Sequence, residues 1–148
     1  MIPITPQSRY DALVKLREGK IGREIFSDRE IYEEELERVF TRAWLFVGHE
    51  SQVPNPGDFF TSRMGAESVI LARDKKKKVH VFLNSCRHRG MKVCQYDHGN
   101  TQLFTCPYHS WSYTTDGKLF GVPQFKQLYE GCMDKEEWSL IEVPNMEV

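Results

Sequence analysis

Asn84-Ser85-Cys86-Arg87-His88-Arg89-Gly90-Met91 and, after a gap, Cys106-Pro107-Tyr108-His109-Ser110-Trp111 are the stretches that decide how this chain of 148 residues is read. Each half supplies one cysteine and one histidine. The spacing is Cys-x-His in the first and Cys-x-x-His in the second, with 17 residues between His88 and Cys106. Each pair follows a strand-like run and sits beside a chain-reversing residue, Gly90 in one case and Pro107 in the other. Loops of this kind can aim two side chains at one point.

Two thiolates and two imidazoles form a complete ligand set for a metal centre. Two chemistries use that set. A structural zinc ion accepts Cys₂His₂, but its sequence pattern usually keeps the cysteines together and the histidines together. A [2Fe–2S] cluster of the Rieske kind places two cysteines on one iron and two histidines on the other. The interleaving here suits a two-iron cluster held between two loops, with zinc and a metal-free site as the competing readings. Replacing two anionic thiolates by neutral imidazoles raises the potential to about −150 to +300 mV, against about −400 mV for an all-cysteine cluster.

Outward from these loops, the pattern is of short strands and turns. Phe59 to Met64, Ser68 to Arg73 and Val79 to Leu83 read as strands, the last two joined across Lys75–Lys78, a solvated hairpin tip. Pro54-Asn55-Pro56-Gly57-Asp58 is a turn cluster. Asp116-Gly117 marks a two-residue hairpin between Trp111–Thr114 and Lys118–Phe120. His98-Gly99-Asn100 reads as a turn, and Ser139 to Val143 as a last strand stopped by Pro144. Strands this short and this dense predict a small antiparallel barrel or sandwich.

The N-terminal portion reads differently. Tyr10 to Glu18 is a short helix ended by Gly19. A second helix begins at a capping box, Ser27-Asp28-Arg29-Glu30, and runs to about Thr41 or Ala43. Tyr32, Leu36, Val39, Phe40 and Ala43 recur on it as an apolar stripe with a surface to cover.

Composition narrows the class. Hydrophobic residues make up 40% and charged residues 28%, with a formal net charge of −1, as in a folded globular domain. No clustered basic face points to nucleic acid, and no apolar run reaches the length of a membrane span. The opening residues lack the apolar core of a secretory signal. A reducing cytoplasm is therefore expected, where four cysteines favour metal ligation or buried thiols over disulfides. Cys94 and Cys132 read as thiols outside the site. His49, His80 and His98 do not make a second metal site. Trp111 and Tyr113 are expected to pack around the loops.

At these residues the chain resembles the alpha (large) subunit of Rieske non-heme iron aromatic-ring-hydroxylating dioxygenases. The likeness runs through the Cys-x-His, 17-residue gap, Cys-x-x-His pattern, through Cys-Arg-His-Arg-Gly-Met at 86–91 and Trp111 to Val122, and upstream through Arg42-Ala43-Trp44-Leu45-Phe46-Val47-Gly48-His49-Glu50. It implies a mainly β fold: a small antiparallel Rieske domain over 44–148, preceded by a helical segment over 1–43. Cys86 and Cys106 would bind the outer iron of one [2Fe–2S] cluster, and His88 and His109 the inner one.

The resemblance also implies partners. Electrons would come from NADH through a reductase, often with a ferredoxin, and pass to a mononuclear Fe(II) in a neighbouring alpha subunit, with a beta subunit in some assemblies. That iron and its 2-His-1-carboxylate ligands would lie beyond Val148, so this chain is expected to hold only the N-terminal portion and no catalytic residue. The product would be a cis-dihydrodiol of an aromatic hydrocarbon. The alternative is a free-standing Rieske ferredoxin, but those reach their first ligand much sooner than residue 86.

One further departure from that family and one comparison with another Rieske class stand out. Ser110 occupies a position that is often glycine. Met91 and Tyr108 stand where respiratory Rieske proteins carry a disulfide, and Trp111 where those proteins place a hydroxyl donor. Fewer donors to the cluster sulfurs imply a potential in the lower part of the Rieske range.

Overall fold

A computed structural model describes residues 10–130 and 132–144. The opening segment, read above as free of a secretory signal, lies outside the described residues up to residue 9. The chain divides into two compact units, residues 1–44 and 45–148.

In the first unit, α1 covers only Tyr10–Leu13. The chain then forms a small antiparallel ribbon, β1 (Val14–Lys15) with β2 (Lys20–Ile21), in register Val14↔Ile21. The helix expected through Glu18 is therefore wrong after its first turn. An isolated helix of nine residues is marginal, and β-branched Val14 favours an extended backbone. Helix α2 (Arg29–Glu35) continues as a π-helical stretch over Leu36–Phe40, which matches the expected extent. Its cap is one residue later than predicted: the Asp28 carboxylate accepts from the Ile31 backbone N–H at 3.0 Å, while the Ser27 hydroxyl donates to the Arg23 carbonyl. The apolar stripe is also misplaced. Ile31 is the buried residue, whereas Tyr32 and Val39 are about half exposed.

The second unit is built from two antiparallel sheets. One has four strands in the order β5-β4-β3-β6: β3 (Asp58–Met64), β4 (Glu67–Arg73), β5 (Val79–Leu83) and β6 (His98–Asn100). The other has three, β7 (Leu103–Thr105), β8 (Ser112–Thr114) and β9 (Leu119–Gly121). A short helix, α3 (Phe125–Tyr129), and a 3₁₀ turn, Lys135–Trp138, follow. The chain is thus mainly β, as expected. Strands β3, β4 and β5 fall where the alternation puts them, and the lysine run is the exposed tip between β4 and β5. His98–Asn100, read as a turn, is a strand paired with β3. Ser139–Val143 forms no full strand: Glu142 makes a single bridge to Phe82, flanked by backbone bonds from Leu83 N–H to Ile141 and from Val143 N–H to Val81. Among the described residues no helix is long and apolar enough to cross a membrane.

The two-residue period of β4 and β5 divides the core. Val69, Leu71, Val79 and Val81 join Val53 on one face. Ile70, Ala72 and Phe82 face the other way and pack with Phe59, Phe104, Trp111, Tyr113, Leu119 and the two cysteines Cys86 and Cys106. The Asp116-Gly117 reversal takes three residues rather than two, with Thr114 N–H bonded to the Lys118 carbonyl. Gly117 has φ +82°, and a Cβ there would lie 2.5 Å from the Phe82 ring, so the turn can close onto the core only with glycine.

One buried polar cluster ties the far end of this sheet. His80 bonds the Glu142 carboxylate through Nδ1 at 2.7 Å and the Asp74 carboxylate through Nε2 at 3.2 Å. Burial pushes the Asp74 carboxyl up, but hydrogen bonds from His80 and from the Lys78 and Lys76 N–H groups outweigh it and hold it below the ordinary value. Both ring nitrogens of His80 are thus engaged by carboxylates.

Candidate metal centre

The Cys-x-His and Cys-x-x-His loops share one backbone skeleton. In the first, Cys86 N–H bonds the Met91 carbonyl and Gly90 N–H bonds the Cys86 carbonyl, both at 2.8 Å. In the second, Cys106 N–H bonds the Trp111 carbonyl at 2.8 Å and Ser110 N–H bonds the Cys106 carbonyl at 3.0 Å. The residue four past each cysteine is left-handed, Gly90 at φ +70° and Ser110 at φ +58°. Only glycine takes that conformation without cost, so the serine noted in the sequence stands at a strained point of the loop.

The legs of the two loops are joined by different means. The second loop tops a hairpin in which Phe104 pairs with Tyr113 across β7 and β8. The first has no such hairpin, because β5 is paired with β4 instead. The side chain of Asn84 takes the place of the missing partner. Its Oδ1 accepts from Val93 N–H at 3.0 Å and Cys94 N–H at 2.8 Å, and its Nδ2 donates to the Cys94 carbonyl at 2.9 Å. Asn84 and Val93 hold the same offsets from Cys86 that Phe104 and Tyr113 hold from Cys106.

The four side chains sort by type. Cys86 and Cys106 are 3% and 2% exposed and lie in the same buried core cluster. His88 and His109 meet edge to face, with ring centroids 4.6 Å apart. Among the described residues, no group of three or more His, Cys, Asp or Glu side chains is arranged to hold a single metal ion. The arrangement is two by two, thiol with thiol on the buried side and imidazole with imidazole on the outer side.

The electrostatics follow from burial. Burial, reinforced by the neighbouring Cys86, pushes the Cys106 thiol up. Burial and the adjacent His109 and Arg89 hold His88 below the usual imidazole range, so its ring is neutral and keeps a lone pair. His88 Nδ1 is buried with no hydrogen-bond partner, one of two such side-chain atoms among the described residues. An uncompensated buried polar atom costs about 1–3 kcal/mol, and a metal bound there would satisfy it. The other orphan, Arg87 Nε, is in the same loop.

Three aromatic residues surround the pair. Trp111 stacks on His88 at 4.8 Å and 11°, and Tyr108 stacks on His109 at 3.8 Å and 28°. Tyr113, fully buried, does more than pack. Its hydroxyl accepts from Arg87 N–H at 3.1 Å and lies 3.3 Å from Cys86 Sγ. With the backbone N–H occupying an acceptor site, the hydroxyl proton is available to the sulfur. Burial and the neighbouring Cys86 push this phenol well above its ordinary value, so it remains a donor. Sequence reading looked for a hydroxyl at position 111 and missed the one at 113, because the donor crosses from one loop to the other.

The remaining candidates lie apart from this arrangement. Cys94 is a buried thiol and Cys132 an exposed one. His49 caps the 3₁₀ turn Glu50–Gln52, and His98 is exposed in β6.

The family model described as Rieske [2Fe-2S] domain matches residues 43–143. Benzene 1,2-dioxygenase subunit alpha of Pseudomonas putida is 46% identical over 132 residues, which cover 89% of this chain and 29% of that protein. Biphenyl 2,3-dioxygenase subunit alpha of Rhodococcus jostii is 48% identical over 126 residues, 85% of this chain and 27% of that one. The crystal structure of naphthalene 1,2-dioxygenase from Rhodococcus sp. bound to indole superposes with a TM-score of 0.80 at 40% identity, over 86% of this chain and 29% of that one. The chain therefore spans less than a third of the length of these relatives.

Proposed function

The chain belongs to the Rieske [2Fe-2S] domain family, and from that premise we propose that Cys86 and Cys106 hold one iron of a [2Fe–2S] cluster, and His88 and His109 the other. The observation that carries this reading is the pairwise sorting of the four side chains by two loops of one skeleton, together with the unpartnered Nδ1 of His88. A cluster with two thiolates on one iron and two imidazoles on the other needs that separation. When bound, it supplies one-electron transfer.

The protein's own residues set the conditions for that chemistry. Cys86 and Cys106 are buried, and as thiolates they would hold the metal, their protons given up to solvent. The neutral ring of His88 offers a lone pair. The left-handed residues 90 and 110 turn each loop back on itself, where the Gly90 and Ser110 N–H groups bond the carbonyls of Cys86 and Cys106. Tyr113 donates toward Cys86. His109 and Tyr108 lie on the outer side, where a redox partner can approach.

In the larger setting, this chain is the electron-relay portion, residues 44–148 with the helical segment 1–43 ahead of it, of an aromatic-ring-hydroxylating dioxygenase alpha subunit. Electrons would reach it from NADH through a reductase or ferredoxin, and would be used at a mononuclear iron in a separate catalytic domain. The dioxygenase alpha subunits among its relatives support this over a free-standing ferredoxin.

The test is visible absorption and low-temperature EPR of anaerobically purified protein, before and after dithionite. A red-brown chromophore that bleaches and gives a reduced signal of low average g is expected. A colourless protein with one zinc per chain would overturn the assignment.

A further inference from the structure

The terminal torsion of a histidine is broad and roughly two-fold, so a ring that must present Nδ1 in one direction needs something outside itself to hold its plane. For His109 the neighbour is its own predecessor, Tyr108. For His88 it is Trp111, from the opposite loop. Trp111 is 3% exposed. Its backbone carbonyl closes the second loop by accepting from Cys106 N–H. Its indole is held edge-on by Trp138 at 5.7 Å and by Tyr129 at 6.2 Å. The indole plane is thus fixed from behind, and the His88 ring lies within 11° of parallel to it.

The contact also bridges the two loops. No disulfide joins them, all four cysteines being free thiols, and their backbones close separately. Apart from the candidate ligands themselves, where His88 meets His109 and Cys86 bears on Cys106, what crosses between them is the Tyr113 hydroxyl, the placement of Arg89 over Tyr108 at 5.9 Å, and the stack of Trp111 on His88. Of these, the stack is the one that touches an imidazole of the candidate site from the buried side.

We propose that Trp111 is a positioning residue that fixes the imidazole plane of His88 and braces the first loop against the second, doing without a covalent bond what a disulfide would do. The inference rests on the reading of Cys86, His88, Cys106 and His109 as cluster ligands. It predicts that the two imidazoles are unequal, with the orientation of His88 dependent on one side chain of the other loop.

The test compares wild type, Trp111→Phe and Trp111→Leu, each loaded with its cluster, by pulsed EPR of the histidine nitrogen couplings and by the rate of cluster loss to a chelator. Phe keeps a flat face and should give couplings close to wild type. Leu fills space without a face. It should shift the couplings of one histidine only and speed cluster loss severalfold, with circular dichroism unchanged. Leu couplings and loss rate equal to wild type would overturn the proposal. If the Leu variant holds no cluster, Trp138→Leu decides. That substitution removes the support behind the indole without touching His88, and should move the same couplings by less; wild-type couplings in it would overturn the proposal. A wild-type protein without the Rieske signal would instead remove the ligand assignment, and this inference with it.

Discussion

The two cluster loops have one backbone and two ways of holding it. Each has a cysteine whose N–H is capped five residues on and a left-handed residue at the fourth. They differ in where the histidine stands, in what ties the legs, and in which residue takes the left-handed turn. The second loop inherits its closure from a hairpin, where backbone pairs with backbone. The first has given its strand to the four-stranded sheet, and a side chain, Asn84, does the pairing instead. The shared skeleton places the cysteines; the differences decide how each loop responds to substitution.

The largest effect tests what is shared. Cys86→Ala and Cys106→Ala should each abolish the visible chromophore and the reduced EPR signal, because under the proposed ligation either change would leave an iron with one protein thiolate. The two should be equivalent, since both thiols are buried on equivalent skeletons. A variant that retained a Rieske signal would show that the loops do not contribute alike.

The next effect tests the difference in the legs. Asn84→Ala strands the buried N–H groups of Val93 and Cys94, at a cost of about 2–3 kcal/mol. Chemical denaturation should show that loss, and iron should leave the protein faster. Phe104→Leu, at the matching position of the second loop, removes packing but no hydrogen bond, and should cost about 1 kcal/mol. Equal losses would mean that Asn84 acts only by filling space.

Tyr113 joins the two halves. Removing its hydroxyl in Tyr113→Phe deletes a donor to Cys86 Sγ and should lower the midpoint potential. A hydrogen bond of about 1 kcal/mol corresponds to roughly 40 mV in a one-electron couple, given about 59 mV and 1.4 kcal/mol per factor of ten. Protein-film voltammetry would read this directly. An unchanged potential would mean that the hydroxyl serves Arg87 N–H alone.

Legibility in the sequence followed how local each signal was. β3, β4 and β5 could be read because their side chains alternate against two separate parts of the core. The loops could be read because ligand chemistry restricts residue type. β6 could not: His98, Gly99 and Asn100 are all exposed, so no alternation marks them, and they are extended because β3 offers them an edge. Asn84 looked like an ordinary polar residue before a loop. Its role appears only when Val93 and Cys94 are brought beside it. Tyr113 was expected to pack, and it does, but its polar end is spent on the other loop. The ribbon at Val14 to Ile21 was lost to a helical pattern too short to nucleate alone.

The smallest effect concerns the residue at which the two turns differ. Ser110 adopts φ +58° where the first loop uses Gly90. A left-handed conformation costs a non-glycine residue about 1–2 kcal/mol, and glycine returns about 0.4–1 kcal/mol of that through the greater freedom of its unfolded chain. Ser110→Gly should therefore stabilise the metal-free protein by a few tenths to about 1 kcal/mol, seen as a rise in melting temperature. The serine is exposed, so no packing is lost. The loaded protein sharpens the comparison. If Ser110 is only strain, the substitution should raise the melting temperature of the loaded protein by as much and leave the potential alone. If its hydroxyl donates toward the cluster, the gain should shrink or reverse on loading and the potential should fall, and the strained residue would be one kept for its oxygen.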